Sequence, residues 1–106
     1  LRIAEGSGSK YCIGYAHFLL GEMLLETDSA QAATYFHKSI SVFQEIKTEN
    51  ALAMAYWGMG RYHKQQGDVE QARKYLTKAL EIFERLGTLI EPDKVKAELF
   101  ELPVSA

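Results

Sequence analysis

Between residues 51 and 88 the apolar positions recur with the period of a helix, break at Gly67-Asp68, and then resume. Tyr56, Met59, Gly60 and His63 stand at i, i+3, i+4 and i+7, a spacing that gathers side chains on one face of an α-helix. Ala72, Leu76, Ala79, Leu80, Phe83 and Leu86 extend a longer stripe of the same kind. At the break, Gly67 suits the end of one helix and Asp68 the N-cap of the next. The pattern therefore predicts two helices joined by a tight turn.

Most of the remaining chain repeats this unit. The ending LEIFERLGT at 80–88 recurs as ISVFQEIKT at 40–48 and as LRIAEGSGS at 1–9. Gly21 and Gly60 are 39 residues apart and Phe43 and Phe83 are 40 apart, so the turn around 26–29 is one residue shorter than its copy. A fixed period of this length is the mark of stacked helical hairpins. The expected layout is the end of a preceding repeat at 1–9, one repeat at 10–48, a second at 49–88, and a closing helix within 89–106. In that last helix Pro92 fits the first turn, where its missing N–H costs nothing. Val95, Leu99 and Leu102 give it an apolar side, Lys94, Lys96, Glu98 and Glu101 an outward polar one, and Pro103 ends it. Such a helix closes the exposed end of an array. Gly6, Gly8 and Gly14 make the entry to the first helix a candidate hinge. Glu70 with Lys74 and Glu81 with Arg85 are i,i+4 pairs worth ~0.3 kcal/mol each.

The repeated residues resemble the tetratricopeptide repeat. That family places a large residue, Leu-Gly and Tyr on helix A, then Ala, an aromatic and Ala on helix B. The corresponding residues are Tyr56, Met59-Gly60, His63, Ala72, Leu76 and Ala79 in the second repeat. In the first they are His17, Leu20-Gly21, Leu24, Ala32, Phe36 and Ser39. Gly60 and Ala72 are expected to let their helices approach closely. The family's Pro after helix B is absent, and the period is that of a longer repeat variant with extended B helices. The resemblance implies an all-α fold, a right-handed superhelix of hairpins with a C-terminal capping helix. It also implies a protein–protein interaction role, without catalysis, in a larger regulatory protein. Similar tracts occur in C-terminal regions of bacterial signalling proteins such as nucleotide cyclases and ATPase regulators, where self-association of the parent enzyme is the alternative role.

Helix A lines the concave groove in this arrangement. Carried over by position, the groove residues are Tyr15, Phe18, Leu19, Glu22, Leu25 and Glu26 in repeat one, and Met54, Trp57, Gly58, Arg61, Lys64 and Gln65 in repeat two. Aromatic residues edged by charge make a peptide groove. Where the carboxylate-clamp type carries Lys and Asn, this chain has Phe18 with Glu22 and Trp57 with Arg61.

Composition narrows the chemistry. The net charge of -2 comes from interleaved acids and bases, which disfavours nucleic-acid or anionic-membrane partners. Cys12 is the single cysteine, so no internal disulfide forms and a reducing, cytoplasmic setting is expected. No apolar run approaches the ~20 residues of a membrane span. His17, His37 and His63 lack companions at metal-ligand spacing, and no metal or cofactor is expected. Gly58-Met-Gly60 and Gly6-Ser-Gly8-Ser-Lys10 fall short of the dinucleotide and phosphate-loop spacings. Arg73, Lys74 and Lys78 around Tyr75 read as a solvated outer face. The N-terminal end leaves Tyr11, Ile13 and Tyr15 uncovered, which makes homodimerisation there an available route.

Overall fold

The computed structural model describes residues 7–87 and 91–102. Over these residues every regular element is a helix: α1 (Ser7–Leu24), α2 (Ser29–Glu45), α3 (Glu49–Gln66), α4 (Val69–Leu86) and α5 (Glu91–Glu101). α1 with α2 and α3 with α4 form two hairpins. α3 packs on α2, α5 on α4, and α1 touches α3 across the array. Residues 7–9, expected at the end of a preceding repeat, belong to α1 together with the helix that follows. The readings made for 1–6, 88–90 and 103–106, Pro103 and Gly6 among them, lie outside the described residues. Gly14 is no hinge. It sits inside α1, where a Cβ would lie 2.8 Å from the Phe43 ring.

The turns have local causes. Gly67 adopts φ 79°, a left-handed conformation that costs glycine nothing, while the next N–H reaches back to the His63 carbonyl at 3.0 Å. Asp68 then caps α4, its side chain accepting the Gln71 N–H at 3.2 Å. Asp28 caps α2 the same way through Gln31. The first turn, one residue shorter and without a glycine, stops α1 at Leu24, and Leu25 folds back into the core.

Two apolar clusters follow. The first joins Phe18, Leu25, Phe36, Ile40 and Phe43 to Ala51, Ala55 and Met59 of α3. The second joins Ala53 to Ala72, Leu76, Ala79 and Phe83 of α4, to Val95 of α5 and to Leu102 just past its end. Met54 and Tyr56 touch both clusters, so α3 ties them into one array. The close approach of α3 and α4 differs from the expected pairing. A Cβ on Gly60 would meet Leu76, at 2.7 Å from its side chain and 3.3 Å from its backbone nitrogen. Ala72, one turn earlier on α4, is fully buried, but it is not among the atoms nearest that glycine.

α5 also differs from the expected cap. Val95 and Leu102 are buried as predicted. Two of its polar residues, Glu98 and Glu101, nevertheless reach Trp57 and Lys64 of α3 instead of pointing outward. Lys96 pairs with Glu84 at 3.3 Å. Arg85 likewise leaves Glu81 and pairs with Glu49 in the first turn of α3.

A charged trough along the A helices

α1, α3 and α5 share one side of the array, and a trough of about 470 Å³ opens there, lined by Leu25, Glu26, Arg61, Lys64, Gln65 and Glu98. Five of these six were expected from sequence. Glu98 was missed. The signal available was positional: a helix following a B helix occupies an A position, so its polar residues also face the trough.

Arg61 organises the centre. Its guanidinium donates to Glu22 of α1 at 2.7 Å and lies 5.5 Å from the centre of the Trp57 ring. Its Nε is buried and has no hydrogen-bond partner among the described residues. Trp57 stands between trough and core. Its ring meets Phe83 edge-on at 6.0 Å, and its indole N–H donates to Glu98 at 3.1 Å. Lys64 pairs with Glu101 across the same gap. Four carboxylates (Glu22, Glu26, Glu98, Glu101) thus face two cations, so the trough is acidic on balance.

Other predicted groove residues lie elsewhere. Phe18 is only 4% exposed and packs on Phe36 in the core, so it is not a groove surface. Gly58 is covered by the Phe36 ring, and Met54 packs between the two clusters. Tyr15 and Leu19 remain exposed along α1, with Tyr15 stacked between Tyr11 and Phe18.

The histidines stand at the hairpin edges. His17 stacks on Tyr35 and His63 on Tyr75, at 5.7 and 5.5 Å. Lys38 and Lys78 lie over those tyrosines. Loss of water around His63 holds its pKa below 6.5, with Asp68 opposing and His37 adding to the effect. Among the described residues no three potential ligands cluster as a metal would need. No described helix is long and apolar enough to cross a membrane.

Antiparallel hairpins that repeat, stack and present their first helices to a common trough define an all-α helical-repeat protein. The tetratricopeptide-repeat family model matches residues 8–85, and the chain belongs to that family. These repeats generally mediate protein–protein interaction, and their fold is typically non-catalytic. No curated protein and no solved structure matches the chain.

Proposed function

We propose that the trough along α1, α3 and α5 binds an extended segment of a partner protein, and that the chain serves as an interaction module within a larger cytoplasmic regulatory or signalling protein. The observation that supports this reading is the trough itself. Leu25 gives an apolar patch in its floor, Gln65 an amide, and Arg61, Lys64, Glu26 and Glu98 charges of both signs. Mixed lining of this kind provides orientation as well as area. The excess of carboxylates favours a segment carrying Lys or Arg, because like charge brought into a shielded cleft costs more than it returns.

Selection from a displayed random-peptide library on the purified chain tests the reading. The expected outcome is enrichment of basic peptides whose binding weakens at least tenfold in a Glu26→Lys, Glu98→Lys chain that still folds. Peptides retained equally by that variant would move the binding site away from the trough.

A further inference from the structure

Helix α5 is a wall of the trough as well as a neighbour of α4. Toward α4, Val95 is buried in the shared cluster, Leu99 packs against it, and Lys96 pairs with Glu84 at 3.3 Å. Toward α3, Glu98 accepts the Trp57 indole N–H at 3.1 Å and Glu101 pairs with Lys64. The intervals from 95 to 99 and from 98 to 101 place these two sets on adjacent faces of one helix. α5 has 11 residues, and an isolated helix shorter than about 12–15 residues is marginal in water. Its helical form therefore depends on being seated against its neighbours.

The charge of the trough depends on that seating. Glu22 and Glu26, from α1 and the turn after it, face Arg61 and Lys64 of α3, two carboxylates against two cations. Glu98 and Glu101 raise the carboxylates to four. All of the acidic excess thus arrives with α5. Arg61 holds Glu22 and Lys64 holds Glu101, whereas Glu26 and Glu98 line the trough with no ion pair among the described residues. Two unneutralised carboxylates on facing walls repel each other. A cation placed between them removes that repulsion and favours the seated helix.

We propose that the seating of α5 against α3 and the binding of a basic segment in the trough are coupled. A Lys or Arg of the segment stands between Glu26 and Glu98 and holds α5 in place, while seated α5 supplies the charge that selects the segment. This rests on the reading of the trough as a peptide site. The coupling is reciprocal: the factor by which the segment favours seating equals the factor by which seating raises the segment's affinity. Glu98 carries it, because that one carboxylate both lines the trough and ties α5 to Trp57. Glu101 serves the seat through Lys64.

Capped hexalysine at low salt is the probe, with affinity read from Trp57 fluorescence and seating from hydrogen exchange of the α5 amides. Saturating hexalysine should slow α5 exchange about fivefold or more, and by a larger factor than it slows α2. Glu98→Gln keeps an amide oxygen to accept the indole N–H but loses the charge. It should weaken binding about fivefold or more and abolish the extra slowing. Val95→Asn loosens α5 from the α4 side without touching the trough, and should weaken hexalysine binding too; Leu99→Ala makes the same test if that variant does not fold. Equal affinity for the parent chain and the loosened variant would overturn the proposal. So would hexalysine that binds, and is released by Glu26→Lys, while slowing α5 and α2 alike; the trough would then remain a peptide site without the coupling. No binding at millimolar hexalysine would overturn both readings.

Discussion

The ring of Phe36 occupies the space where a side chain on residue 58 would begin: a Cβ on Gly58 would lie 2.5 Å from Phe36 Cε1. On the other hairpin helix, a Cβ on Gly21 would lie 2.7 Å from the same atom. Phe36 is fully buried between α1 of its own repeat and α3 of the next. It therefore sets the distance between hairpins as well as within one.

Gly58→Ala is expected to destabilise the chain. Replacing glycine by alanine in a helix gains about 1 kcal/mol of propensity. Overpacking a filled core costs about 1–3 kcal/mol, and here Phe36 has no direction of retreat because Gly21 stands beyond it. The clash should win, lowering the urea midpoint. A raised midpoint would mean that the ring yields.

The repeat made much of this legible in advance. Ala72, Leu76, Ala79 and Phe83 were marked by helical spacing and are all buried. The partner of Gly60 was not legible, because spacing fixes which face a residue is on and not where the two helices cross. Leu76 therefore takes the place expected of Ala72. Arg61 and Lys64, expected on the groove side from the repeat, both line the trough. Glu98 and Glu101 were missed because α5 is an 11-residue helix with no copy elsewhere in the chain to align with. Phe18 was misplaced for another reason. α1 is apolar on nearly every side, so hydrophobicity alone does not separate its core face from its exposed one.

Lys47 offers a stabilising change that the sequence pattern did not reveal. It adopts φ 58° at the end of α2, where α4 has Gly87 at φ 77°. The next N–H, that of Thr48, bonds the Phe43 carbonyl at 3.1 Å, so the left-handed residue belongs to a helix-ending motif. A side chain in that region costs roughly 1–2 kcal/mol, offset in part by the extra freedom glycine has when unfolded. Lys47→Gly should raise stability by about 0.5–1 kcal/mol, read from urea denaturation. No gain would show that the lysine is accommodated without strain.

His63 predicts a pH dependence. Its folded pKa lies below 6.5 because burial disfavours the charged ring. The unfolded chain therefore takes up this proton first as pH falls, and stability rises with pH wherever the unfolded state holds more protons. The contribution is complete above about pH 6.5 and declines as pH drops toward and through the folded pKa. Urea midpoints measured from neutral to mildly acidic pH should fall, and His63→Gln should flatten that fall. An identical slope in the variant would place the sensitivity on another group.

Arg61 separates charge from shape. Its guanidinium holds Glu22 of α1 at 2.7 Å while lying over Trp57, so one planar group links two A helices to the indole. A partly exposed ion pair contributes about 0–1 kcal/mol, and a cation over an exposed ring about 0.5–1 kcal/mol. Lysine retains the charge but is a compact, strongly hydrated ammonium with no planar face to stack on the ring. Arg61→Lys should therefore preserve part of the ion pair and lose the stacking, while Arg61→Ala loses both and leaves Glu22 facing Glu26 and Glu98 without a cation between them. Trp57 is the single tryptophan, so its fluorescence reports this spot alone. Both variants should shift its emission to longer wavelength as water reaches the ring, and Arg61→Ala should lower the melting temperature by more than Arg61→Lys does. Equal melting temperatures with equal emission shifts would show that the charge on residue 61 does nothing that its bulk does not.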